Sequence, residues 1–86
     1  MEPPILPSWC KQRQVKAESA GNETYRLTAP NLGEAFISIS RGEDGLWTGS
    51  LRLTANDAPV ATSGGFARPQ DAWEAAFELY RQTVVV

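Results

Sequence analysis

The stretch PQDAWEAAFELYRQT, residues 69–83, decides the fold. Pro69 suits the first position of a helix, where its missing amide costs nothing, and Asp71 places a negative charge at the positive end of the helix dipole. At 100° per residue, Ala72, Trp73, Ala75, Ala76, Phe77, Leu79, Tyr80 and Val84 fall on one arc. Gln70, Asp71, Glu74, Glu78, Arg81 and Gln82 fill the rest. The spacing predicts an amphipathic α-helix over residues 69–83. Ala72 and Ala76 lie at the centre of the arc, small enough to bring the helix axis close to whatever it covers. The arc spans roughly 200°, wider than the ~100° that a surface helix needs, so a second cover for its flank is expected around Phe77, Val84 and Val85.

Upstream, the apolar period changes to two. In residues 24–28, Tyr25 and Leu27 alternate with Arg26 and Thr28. In residues 35–41, Ile37 and Ile39 point to a core, while Phe36, Ser38 and Ser40 point away. Gly42-Glu43-Asp44-Gly45 then reverses the chain into residues 46–54, where Trp47, Gly49, Leu51 and Leu53 oppose Thr48, Ser50, Arg52 and Thr54. Turn residues at Gly21-Asn22, at Pro30-Asn31 and at Asn56-Asp57-Ala58-Pro59 bound these runs. A short strand over residues 60–63 is expected to complete a meander, with Gly64-Gly65 breaking the sheet before the helix. Residues 10–18 fit a helical and a strand period about equally, and a first strand is favoured there. Prolines 3, 4 and 7 make residues 1–8 an extended arm that Ile5, Leu6 and Trp9 could tack onto the core. The expectation is an α+β domain over residues 9–86, an antiparallel β-meander of three to five strands with one C-terminal helix on one face.

Composition narrows the chemistry. The 86-residue chain is 42% hydrophobic and 21% charged, which suits a folded domain with a thin core. It contains no histidine, which removes imidazole bases, His-activated nucleophiles and imidazole metal ligands. A single cysteine, Cys10, allows neither an internal disulfide nor a cysteine zinc site, and the expected setting is cytoplasmic. The N-terminal residues lack the basic start and apolar run of a secretion signal, and no run approaches the ~18 apolar residues of a membrane span. No cofactor or metal is expected, and no catalytic residues stand out. Glu43 and Asp44 read as a hairpin tip, and Gly64-Gly65 as a breaker rather than a phosphate loop.

Two leads remain. Net charge is −2, yet residues 11–26 hold Lys11, Arg13, Lys16 and Arg26 against Glu18 and Glu23. An outer sheet face presenting Arg26, Phe36 and Arg52 among hydroxyls would offer single-stranded nucleic acid a stacking ring between cations. The wide arc, an unpaired edge strand and the terminal valines point instead to protein contacts, through a homodimer or a protein partner, with the surface at Phe77, Val84 and Val85. A non-catalytic interaction module is the leading expectation, and nucleic-acid binding the alternative.

The order of a meander, a Gly-Phe corner at Gly65-Phe66 and an Ala-rich helix resembles that of HicB-like antitoxins and double-stranded-RNA-binding domains. In the latter, a lysine cluster at the helix start grips phosphates; here that start reads Pro69-Gln70-Asp71, which counts against duplex RNA. Because Gly49 is the residue without a side chain on its strand's core face, Gly49→Val is expected to overpack the core. It should cost ~1–3 kcal/mol. An unchanged melting temperature would show that Gly49 does not face the helix.

Overall fold

A computed structural model describes residues 6–21, 23–30, 32–54 and 58–85. The expectations for Pro3, Pro4 and Ile5, for Asn22, Asn31 and Asn56-Asp57 in turns, and for Val86 lie outside them, as does the Val85 side chain. The chain runs α1 (Ser8–Gln12), β1 (Lys16–Gly21), β2 (Thr24–Ala29), β3 (Leu32–Arg41), β4 (Trp47–Arg52), β5 (Ala61–Phe66) and α2 (Pro69–Tyr80). A π-helical turn over Arg81–Val85 extends α2. The five strands form one antiparallel sheet in sequence order, and α2 lies across β3, β4 and β5. An α+β meander capped by one C-terminal helix is therefore the fold.

Alternation explains the strands that were expected. Leu27, Ala35, Ile37, Ile39 and Leu51 are buried on the helix-facing side, with Tyr25 packed beside them. The β3–β4 hairpin closes as turn chemistry requires: the Gly42 amide donates to the Leu46 carbonyl at 2.8 Å, and the Leu46 amide donates to Asp44 Oδ1 at 3.0 Å. Gly45 sits at φ +81°, a conformation that favours glycine. Asp44 is thus employed by the turn.

Three local readings are corrected. Residues 10–18 are not one strand. Their ambiguous period reflects a boundary, since α1 ends when Gln14 enters the left-handed region at φ 58° and the Val15 amide donates back to the Cys10 carbonyl at 2.8 Å. Both Cys10 and Val15 are buried as a result. The last strand is β5, and Gly64-Gly65 lies inside it rather than breaking the sheet. Trp47 pairs with Phe66 and Gly49 with Ser63, so two glycines oppose Thr48 in a bulge that Gly65 makes possible at φ +89°. Strand β4 stops at Arg52, which leaves Leu53 42% exposed instead of in the core. The helix expected over residues 69–83 is present, its hydrogen bonding changing from α to π after Tyr80. A further bulge in β1 sets Gly21 opposite Thr24.

The helix meets the sheet at Gly49. A Cβ on this residue would lie 2.5 Å from the Ala72 carbonyl oxygen and 3.2 Å from the Ala76 amide nitrogen. The space is filled by helix backbone, not by a ring from Trp73 or Phe77. Those rings pack beside the contact: Trp73 meets Tyr25 edge-on at 5.4 Å, and Phe77 is completely buried. Even Gly49→Ala should therefore lower stability by about 1–3 kcal/mol, since backbone atoms cannot rotate away. Gly64→Ala should cost less, because its Cβ would crowd the Thr48 side chain, with Oγ1 at 2.8 Å, rather than helix backbone. Equal losses in denaturant midpoint for the two would contradict the close approach at Gly49.

Candidate functional site

On the open sheet face, cross-strand register sets Glu18, Arg26, Phe36 and Arg52 in one row. A second row runs through Thr24, Ser38, Ser50 and Thr62, with the Ser38 and Ser50 hydroxyls 2.8 Å apart. The parity expected for Arg26, Phe36 and Arg52 is thus correct. The exposure expected of Phe36 is not: its ring is only 7% exposed and lies outside the main core cluster. Long side chains flank it on both sides, and methylene stems of that kind cover neighbouring apolar surface. Arg52 is half-buried with its Nε withdrawn from solvent, in keeping with a stem laid on the face. Arg26 donates to Glu18 at 2.6 Å and lies 3.8 Å from Glu34. The row offers no exposed ring, and two carboxylates already surround one of its cations.

The flank expected at Phe77, Val84 and Val85 is also revised. Phe77 is fully buried within the monomer, and Val84 is half-buried against the core. Their cover is intramolecular. Residues before β1 return to α2, where the Trp9 indole stacks on Tyr80 at 6.1 Å with 22° between the rings, and Cys10 enters the core. The arm therefore supplies the second cover that the wide helical arc requires.

Where the arm meets α2 it leaves a cleft of about 380 Å³, lined by Leu6, Pro7 and Trp9 on one wall and Gln70, Glu74 and Glu78 on the other. Helical periodicity puts Gln70, Glu74 and Glu78 on one stripe, four residues apart, so α2 presents a straight polar wall. Glu78 accepts hydrogen bonds from Arg81 and from Gln82 Nε2, the latter at 3.2 Å, and the Arg81 guanidinium holds its carboxyl below the ordinary value. Glu74 is exposed and, among the described residues, has no ion-pair partner in contact. Asp71 is engaged by Arg68, which donates through Nε and Nη2 at 3.1 and 3.2 Å. Glu74 and the apolar arm were not singled out together by sequence reasoning. The available signal was the pairing of an over-wide helical arc with Leu6 and Trp9 upstream.

Behind the cleft, the core holds two titratable groups and two buried donors. Burial pushes the Cys10 thiol up to about 11 from 9.0, and raises the Tyr80 phenol, with Cys10 beside it adding to the effect. Tyr80 OH and Trp73 Nε1 are buried without a hydrogen-bond partner among the described residues. No group of three or more metal-ligating side chains occurs among the described residues, and none of their helices is long and apolar enough to cross a membrane.

Because the folded state holds the Cys10 proton more tightly than the unfolded chain, this contribution to stability is complete below about pH 9 and is lost as pH rises toward about 11. Tyr80 acts in the same direction. Melting temperature should fall across that window, and less steeply in Cys10→Ala, whatever its stability at neutral pH; parallel slopes would show that the thiol ionises equally easily in both states. In comparison with known proteins, no family model matches this chain, and neither a curated protein nor a solved structure matches it.

Proposed function

We infer that this domain is a non-catalytic protein-contact module, working through the flank where the N-terminal arm lies against α2. The observation that carries this reading is the cleft itself. Leu6 is 38% exposed and Trp9 half-exposed, so apolar surface remains open beside the Glu74 carboxylate. An apolar wall facing isolated polar groups suits recognition of a protein segment, where burial supplies affinity and the charge supplies orientation. The absence of histidine from the sequence supports a non-catalytic role, and the lone buried cysteine suits a reducing, cytoplasmic setting.

Single-stranded nucleic-acid binding on the open face is the weaker reading. It needs an exposed ring and available cations, whereas Phe36 is covered and Arg26 is held by Glu18 and Glu34. Lys16, also exposed, leaves some positive charge nearby.

Two measurements test the choice. A photo-crosslinking residue at position 74 should form protein adducts in cells, and one at position 62, on the open face, should not. Adducts confined to position 62 would reject the flank. Binding to a random single-stranded pool at low salt, abolished by Arg26→Glu/Arg52→Glu, would establish the nucleic-acid reading instead.

A further inference from the structure

We propose that the occupant of the arm–helix cleft is an arginine-bearing segment of a partner protein, its guanidinium held by Glu74 and Trp9 and an adjoining apolar residue laid on Leu6 and Pro7. The proposal rests on the flank being the contact surface, and adds the chemistry of what fills it. Charge on α2 selects the sign. The helix carries the carboxylates of Asp71, Glu74 and Glu78 between two guanidiniums, Arg68 at its N-cap and Arg81 at its C-cap. Arg68 donates to Asp71 through two nitrogens, and Arg81 donates to Glu78. Each cation is thereby engaged by an outer carboxylate. Glu74, between them, keeps a negative charge that no ion pair neutralises among the described residues. Its pull on Arg68 is the weakest of the influences on that guanidinium.

The uncompensated charge lies where apolar surface is open. Glu74 and Glu78 line one wall of the cleft, Leu6, Pro7 and Trp9 line the other, and no cation lines it among the described residues. Trp9 stacks on Tyr80 yet stays partly exposed, so indole surface remains for a ligand. A ring beside a carboxylate discriminates between cations. A guanidinium is planar and weakly hydrated, so it stacks on indole while its N–H groups pair with a carboxylate, whereas an ammonium is compact and holds its water. Size favours a segment over a free ion. A volume of about 380 Å³ lies in the range of pockets that enclose whole organic ligands, and the side chains of Leu6 and Pro7 offer apolar contact that a guanidinium alone leaves unused. An apolar neighbour of the arginine covers them.

Short blocked peptides joining arginine to leucine, and counterparts with citrulline or lysine in place of arginine, test the assignment when titrated into the isotope-labelled full chain. The arginine peptide should shift the amides of Gln70, Glu74 and Glu78 and the indole N–H of Trp9. Citrulline, which keeps the shape without the charge, should bind about tenfold more weakly, and Glu74→Gln should weaken the arginine peptide by a similar factor. Lysine should fall between. Glu43→Gln, at the hairpin tip, should change nothing. Both substituted positions are exposed, so each variant should keep the wild-type melting transition.

Equal binding of the arginine and citrulline peptides overturns the proposal, as does indifference to Glu74→Gln or the absence of any shift at these residues. Methylguanidinium alone binding as tightly as the peptide also overturns it, because a free organic cation would then suffice. In cells, the photo-crosslinking residue is moved to position 70, which lines the same cleft and keeps Glu74. Its adducts should map to a segment containing arginine and disappear with Glu74→Gln. Adducts to a segment without arginine, whether in another protein or in a second copy of this chain, overturn the arginine while leaving the flank as the contact surface. No adducts from position 70 or 74 would remove both.

Discussion

The architecture depends on one close approach, the seating of α2 on Gly49. The Ala72 carbonyl and the Ala76 amide are the partners of one helical hydrogen bond, and that bond lies directly over a strand residue with no side chain. Three small residues therefore set the distance between the two layers. Beside this contact, Trp73, Phe77 and Tyr80 are the largest fully buried side chains of the core. Trp73 reaches Tyr25 on β2, and Tyr80 reaches Trp9 on the arm.

Local pattern carried most of the fold. Period-two runs located β2, β3 and β4, Gly42 to Gly45 located the hairpin, and Pro69 with Asp71 located the helix start. Ala72 and Ala76 were legible as the contact stripe because nothing larger sits at the centre of the arc. What pattern missed has identifiable causes. The boundary between α1 and β1 depends on Gln14 in a left-handed conformation, which composition does not announce. The glycine pair in β5 signals a bulge and a break equally well, and only the pairing with Trp47 and Gly49 separates them.

The candidate sites were less legible, and for one reason. Periodicity gives the direction of a side chain but not its cover. Phe36 points where alternation puts it, yet two neighbouring arginines bring long stems to it from adjacent strands. Phe77 lies on the expected flank of the helix, yet a segment far earlier in the chain closes over that flank, since Trp9 and Cys10 pack where Tyr80 and Phe77 do. Both differences involve groups distant in sequence, which a one-dimensional period cannot register. The same long-range closure creates the cleft, so the surface of greatest interest was also the hardest to foresee.

The bulges have a consequence for growth. Strand β5 borders the sheet on one side and turns out of line at Gly65, while β1 borders it on the other, with an extra residue before Gly21 and the charges of Lys16 and Glu18. A docking strand needs an uninterrupted, straight row of amides and carbonyls, and neither border supplies one. Both borders therefore disfavour edge-to-edge pairing of copies. Bulges and charged residues at sheet borders are devices that blunt an otherwise open template for strand addition.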